Sequence, residues 1–325
     1  MSGFQSHVNQ FPAPGVEGGR ASNNPYSTVV AGNGALISDG TVRASSFGWV
    51  VSGIAYGYSL TAATPDGFVA NEDQALITTY LAESSMILPE GFPVTMYDRG
   101  DFWARSVFSE ATIGQKVYAN LLSGKILTAA TGAFPVTVSG GTGVISVSGT
   151  TAAGVMTVTA TSVYLAPGML ITDPTKGGYP PGTYISSQVT GSAGGTGTYQ
   201  LTTLLPVAIT AASTTVVATA MDCGGSTTSA CSCDNASPTL TVTTRTNGNI
   251  YVGQRVSGTS IPTGTYVSAL GTYNDTTGTG TLTLSANATD TITGAAVLFS
   301  PWIETPWYVK SNGNVGDLIK IGIRN

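Results

Sequence analysis

An all-β fold follows from three features of this 325-residue chain: 42 glycines, a charged fraction of only 9%, and abundant threonine and valine without any long amphipathic heptad pattern. Many short strands separated by glycine turns satisfy all three. The expected form is a discontinuous β-barrel or sandwich core with an extended N-terminal arm, at most one short helix, and two inserted tandem β modules. The length leaves room for two or three domains, and an apolar content of 42% can build their cores.

Taken in order, residues 1–45 read as an extended arm. The run FPAPG (Phe11 to Gly15) and the following VEGGRASNNPYS carry prolines and glycines that exclude helix and discourage interior strand. Val42 to Tyr58 then has strand character, with Phe47, Trp49 and Val51 at alternating positions, and is expected to be a core strand. Asn71-Glu72-Asp73-Gln74 resembles a capping box, so Glu72 to Ser84 is the one helix expected, although ALITTYL holds enough β-branched residues to form a strand if pairing demands it. Gly91 to Phe108 predicts a hairpin turned at Arg99-Gly100, with Met96 facing Trp103 on one side and Tyr97 facing Phe102 on the other. Both faces are apolar, so Tyr97, Phe102 and Trp103 are expected in the core or at a contact between subunits. Ala111 to Ala129 predicts two further strands, carrying Val117 and Ile126, about a Ser123-Gly124 turn.

The composition then changes. Between Thr128 and Ala296 the only charged residues are Asp173, Lys176, Asp222, Asp234, Arg245, Arg255, Asp275 and Asp290. This stretch also repeats itself. MTVTA (Met156 to Ala160), APGMLI (Ala166 to Ile171), PPGTYIS (Pro180 to Ser186) and GTGTYQLT (Gly195 to Thr202) are followed in the same order by LTVTT (Leu240 to Thr244), VGQRV (Val252 to Val256), PTGTYVS (Pro262 to Ser268) and GTGTLTLS (Gly278 to Ser285). An offset of about 84 residues across four blocks predicts two copies of one β module. Beyond Val297 the charged, aromatic texture of Gly91 to Lys125 returns, with a turn at Ser311 to Asn314. The expected organisation is an arm (1–45), a core β domain (46–135), module 1 (136–218), module 2 (219–297) and closing core strands (298–325), the modules being inserted at one loop.

Several function classes are excluded on composition. The net charge of -5 comes without the basic stripe that nucleic acid requires, so no nucleic-acid partner is expected. No apolar run of about 18 residues predicts a membrane span, and MSGFQSHVNQFPAPG lacks the parts of a secretory signal, so synthesis in a cytoplasm is expected. The sole histidine, His7, lies in the arm, leaving no Ser-His-Asp or Cys-His set, and no enzyme is expected. The carboxylate pairs Glu72/Asp73 and Asp98/Asp101 read as helix-terminal charge and a solvated turn rather than a glycosidase pair. Glycine strings such as GSAGGTGTY lack the lysine of a phosphate loop. Cys223, Cys231 and Cys233 read as thiols of one loop, without the histidine or the spacing of a zinc set. No catalytic residue, cofactor or metal is therefore expected.

Four stretches carry a resemblance: FPAPGVEGGRASNNPYSTVVAGNGALISDG, GFVANEDQALITTYLAESSMILPEGFPVTMYDRGDFWARS, TIGQKVYAN and GDLIKI. In this order they resemble the bacteriophage capsid decoration family, often described as structural cement proteins. The resemblance implies a β-rich homotrimer that binds the outer surface of the major capsid protein shell and stabilises it, located on the virion. It places Phe11, Pro12, Pro14 and Arg20 of the arm at the capsid contact, with Arg20 where the family pattern leads one to expect an acidic residue. The L-x-P-G and P-x-G-T-Y pattern of the inserts resembles β modules that project from phage surface proteins. The competing reading is a receptor-binding or adhesive virion protein whose modules act on a host-surface glycan.

Overall fold

The computed structural model describes residues 15–30, 32, 34–72, 86–136, 143–150, 154–161, 165, 170–172, 185–192, 195–201, 210–219, 226–247, 250–274 and 277–323, and among these every regular element is a strand. The first part of the chain forms β1 (Ser27–Thr28), β2 (Ile37–Ser38), β3 (Ser46–Val51), β4 (Ile54–Tyr56), β5 (Gly67–Val69), β6 (Met96–Arg99), β7 (Asp101–Arg105), β8 (Lys116–Asn120) and β9 (Ile126–Ala129). The middle part forms β10 (Gly143–Thr150), β11 (Val155–Thr161), β12 (Leu170–Thr172), β13 (Ile185–Gly191), β14 (Gly197–Leu201) and β15 (Thr210–Thr219). It continues with β16 (Ser226–Cys233), β17 (Thr239–Asn247), β18 (Arg255–Ser257), β19 (Val267–Leu270), β20 (Gly280–Leu284) and β21 (Ile292–Ser300). Two strands close the chain, β22 (Trp302–Val309) and β23 (Leu318–Ile323).

The core is made by two sheets, ordered β1-β6-β5-β3-β4-β2 and β7-β23-β22-β8-β9. Between them lies one aromatic cluster. Phe47 and Phe68 of the first sheet meet edge-on at 5.6 Å between ring centroids, and Phe102 and Trp307 of the second stand 5.3 Å and 5.9 Å from Phe68. All four rings are buried, so the apolar faces of the two sheets satisfy each other.

Two sequence expectations change here. The hairpin at Gly91 to Phe108 does not form, because β6 and β7 belong to different sheets. Met96 and Tyr97 pair with Val69 and Phe68 of β5, whereas Phe102 and Ala104 pair with Ile321 and Ile319 of β23. Gly100 alone separates the strands, at φ 138°, and a side chain there would meet the Phe102 ring at 2.8 Å. The chain therefore turns a corner between the sheets, and Tyr97 and Phe102 touch at 4.9 Å as neighbours across it rather than as a cross-strand pair. The corner also separates Asp98 from Asp101, which a tight hairpin would have set opposite each other. Likewise Val42 to Tyr58 is not one strand. It folds at Ser52-Gly53, with φ of 53° and 83°, into β3 and β4, a two-residue turn that leaves Val51 59% exposed while Phe47 and Trp49 stay buried. The expected helix at Glu72 to Ser84 lies, except for Glu72, outside the described residues.

The middle part forms two six-stranded sheets, ordered β12-β15-β10-β11-β14-β13 and β18-β21-β16-β17-β20-β19. Counted from the first strand of each, the two orders are the same. The register agrees too: Met156 pairs with Tyr199 and Val158 with Gly197, as Leu240 pairs with Leu282 and Val242 with Gly280. Each of these pairs lies within the repeated sequence blocks. Cys231 and Cys233 lie on strand β16 rather than in the loop expected for them, both thiols free and buried beside Leu240, Val242 and Val297. Two residues apart on a strand, they face the same way, and that way is the core. Cys223 lies outside the described residues.

β21 runs to Ser300, where Leu298 and Phe299 pair with Thr227 and Ser226, and β22 follows from Trp302. At the crossing the Ser300 hydroxyl donates to the Pro135 carbonyl at 2.5 Å, and the Arg255 guanidinium lies 5.1 Å over Phe134. The chain thus leaves the core after β9 and rejoins it beside the point of departure.

Candidate functional site: the seat of the N-terminal arm

β7 is an outer strand of its sheet, and residues 15–24 lie along it. The amide of Gly18 donates to the Trp103 carbonyl at 2.7 Å, the Trp103 amide to Gly19 at 2.8 Å, and the Ala21 amide to Asp101 at 2.8 Å, with Arg20 bridged antiparallel to Phe102. The arm therefore acts as a further strand and caps an edge that would otherwise present unpaired backbone groups. The Asn71 amide, donating to Gly18 at 2.9 Å, holds it from the other side. Gly15 lies directly on the Trp103 indole, where a side chain would meet the ring at 2.5 Å.

Side chains fix the arm at both ends. Glu17 pairs with Arg105 at 2.9 Å, and Arg105 also donates to the Gly316 carbonyl at 2.6 Å. At the other end Asp101, 4% exposed, accepts from Ser22 and Asn24 at 2.7 Å each and from Lys310 at 2.6 Å, with Lys320 at 3.5 Å. Burial by itself raises the Asp101 carboxyl, but hydrogen bonds from Lys310, Ser22 and Asn24, with the charge of Lys310, outweigh it and hold the group below its ordinary range. Asp101 was expected in a solvated turn; it is instead the buried anion that joins arm, corner and closing strands.

Arg20 packs between aromatic rings. Its guanidinium lies 3.9 Å from the Tyr26 ring centre and 5.5 Å from that of Tyr97, and it donates to the Tyr97 hydroxyl at 3.0 Å and to Glu72 at 3.3 Å. Hydrogen bonds with Tyr97 and Tyr26 push its pKa further up. Tyr97 in turn donates to Glu72, and burial followed by that hydrogen bond raises its pKa. Glu72, expected as a helix-terminal charge, is thus used as an acceptor for two side chains of the arm seat.

Of the residues singled out in the sequence, Tyr97 and Phe102 are buried in the core, Trp103 is half-buried under Gly15, and Arg20 is exposed on the arm. Phe11, Pro12 and Pro14 lie outside the described residues. Sequence reasoning missed Asp101, Arg105 and Glu72 as partners of the arm; their arm partners Ser22, Glu17 and Arg20 are 79, 88 and 52 residues away, and no local pattern reports such distances. The arrangement consists of ladders, ion pairs and rings that hold one segment on a sheet edge. Among the described residues no three metal-ligating side chains converge, and no helix is long and apolar enough to cross a membrane.

Residues 4–165 match a family described as XM1 gp53 minor capsid protein. The matched stretch takes in the arm, β1 to β9, and the first strands of the middle part. The similarity supports a phage structural protein, associated with the capsid and located in the virion. No curated protein and no solved structure matches the chain.

Proposed function

We propose that the chain is a capsid decoration protein that binds the outer surface of the major capsid protein shell as a homotrimer, stabilises it, and projects its two inserted modules outward. The observation that carries this reading is the arm. Its residues 15–24 are anchored on β7 at both ends, and the capsid contact is assigned to Phe11, Pro12 and Pro14, the residues joined to that anchor. Anchoring lowers the ordering cost that an untethered arm would bring to such a contact. The modules have low charge and a separate core in the second sheet, which suits a part that stands in solvent. No catalytic role is proposed.

Two truncations test it. Deleting residues 2–14 is expected to abolish binding to shells in a co-sedimentation assay while the oligomer and its melting temperature stay as they were. Deleting residues 2–24 is expected to lower stability as well, because it uncovers the β7 edge and removes two donors from Asp101. Undiminished shell binding by the shorter truncation would sink the role given to the arm. Copy number separates decoration from adhesion, since a shell protein is present in many copies per virion and a receptor-binding protein in few.

A further inference from the structure

Phe47, Trp49 and Val51 alternate along β3 and so share one face of the strand. Phe47 and Trp49 are buried in the cluster between the two core sheets, whereas Val51 lies beyond it and is exposed. Trp49 pairs with Tyr56 and Val51 with Ile54, and Ile54 pairs in turn with Ile37 of β2, which is exposed as well. Cross-strand partners stand on one face. The apolar face that builds the core therefore continues past it, and among the described residues its outer end has no cover.

A cavity of about 400 Å³ opens at this outer end, and Trp49, Val51, Tyr56, Tyr58, Leu60 and Asp66 are among the residues that line it. Apolar walls, two aromatic rings and a single charge at that size describe a ligand pocket. Tyr56 and Tyr58, both half-buried, meet edge-on at 5.6 Å. The walls are fixed by hydrogen bonds. The Trp49 indole donates to the Ala63 carbonyl at 2.8 Å, the Val50 amide to the Asp66 carboxylate at 2.7 Å, and the Ser59 amide to the Leu121 carbonyl at 2.5 Å. From the middle part Gly253 packs on the same loop, where a side chain would meet Leu60 Cα at 3.1 Å.

Asp66 decides what the pocket suits. It is the one residue of the lining that is charged at neutral pH, and it is exposed. Its Oδ2 accepts from the Val50 amide, a neutral donor, and no cation of the described residues forms an ion pair with it. A carboxylate without a counter-charge, set among tyrosine rings and aliphatic walls, complements a side chain that has an apolar stem and a cationic head.

We propose that this pocket receives a lysine or arginine side chain of another polypeptide, whose flanking apolar residues cover the strip formed by Val51 and Ile37. Asp66 and the tyrosine faces attract the cationic head, and Val51 and Leu60 pack on its stem. Tyrosine and arginine are concentrated at the centres of protein interfaces for the same physical reasons. A neutral sugar could stack on the tyrosines, but it would leave the Asp66 charge uncompensated and the apolar strip open.

Saturation-transfer NMR titration of the full-length protein with the peptide acetyl-Leu-Arg-Leu-amide reads the pocket directly, with acetyl-Leu-Gln-Leu-amide as the neutral control. The arginine peptide is expected to bind about fivefold more tightly than the control, and to lose that advantage as sodium chloride is raised. Asp66→Asn, which keeps an acceptor for the Val50 amide and removes the charge, is expected to abolish the difference between the peptides. Tyr58→Leu is expected to weaken the arginine peptide several-fold, and it tests the pocket independently should Asp66→Asn lower the melting temperature. Equal binding of the two peptides by the wild type, or an arginine preference that survives both substitutions, would overturn the proposal. So would binding of chitotriose, lost in Tyr58→Leu, where neither peptide binds; the pocket would then be a glycan site. Because the titration uses the isolated protein and no shells, its outcome is separate from that of the decoration reading.

Discussion

Asp101 shows how much one residue can be asked to hold. Its carboxylate takes donors from the arm and from the closing strands at once. Asp101→Asn removes the charge opposite Lys310 and Lys320, and the expected loss in chemical denaturation is about 3 kcal/mol, in the range of broken buried ion pairs. The acid response has a definite sign. Because the folded carboxyl is held below its ordinary value, its contribution is fully present above that ordinary value and is lost as the pH falls through the lowered folded one. The wild type is therefore expected to lose stability in that acid window, and Asp101→Asn to lose less there, when melting temperature is followed from pH 6 downward. None of this was legible locally, since Asp98-Arg99-Gly100-Asp101 reads as a turn whether or not a lysine 209 residues away reaches back to it.

At the scale of elements, alternation was the dependable signal. Phe47 and Trp49 on β3, the β8–β9 pair about Ser123-Gly124, and the closing turn before β23 stand where the pattern predicts. What alternation does not report is the partner of a strand. β6 and β7 have the strand character expected, yet each pairs with sequence far away, because backbone hydrogen bonds are indifferent to which chain segment completes them. The two cysteines of β16 make the same point on a smaller scale: in a glycine- and serine-rich run they read as loop residues, and only their spacing of two hinted at a shared buried face. Burial raises both thiols above their ordinary pKa. Cys231 and Cys233 are accordingly expected to resist a thiol reagent in the native protein and to react in denaturant, as peptide mass spectrometry of the labelled chain would report. Rapid native labelling of either would mean that β16 opens readily.

For the whole molecule, the relation between the core and the middle sheets decides what can be removed. The contact of Ser300 with Pro135 brings the two ends of the middle part together, and the Leu121 amide donates to the Pro301 carbonyl at 2.6 Å on the core side. Replacing residues 136–300 by a short glycine-serine linker is therefore expected to leave a soluble core with a cooperative thermal transition, because the aromatic cluster between the two core sheets has no member in the removed segment. An unfolded product would show that the middle sheets are part of the core's stability. The same strand order in both middle sheets suggests a further comparison, in which either sheet is removed alone.

That meeting of Pro135 with Ser300 also bears on use. A chain that goes out and comes back within one hydrogen bond makes a socket, and the geometric demand on whatever fills it is only that its own two ends lie close together. A foreign domain with adjacent termini meets that demand as well as the native sheets do. If the core seats on a shell in many copies, as proposed, this position becomes a place to display an antigen or an enzyme in a regular array, with the arm and its anchor left untouched.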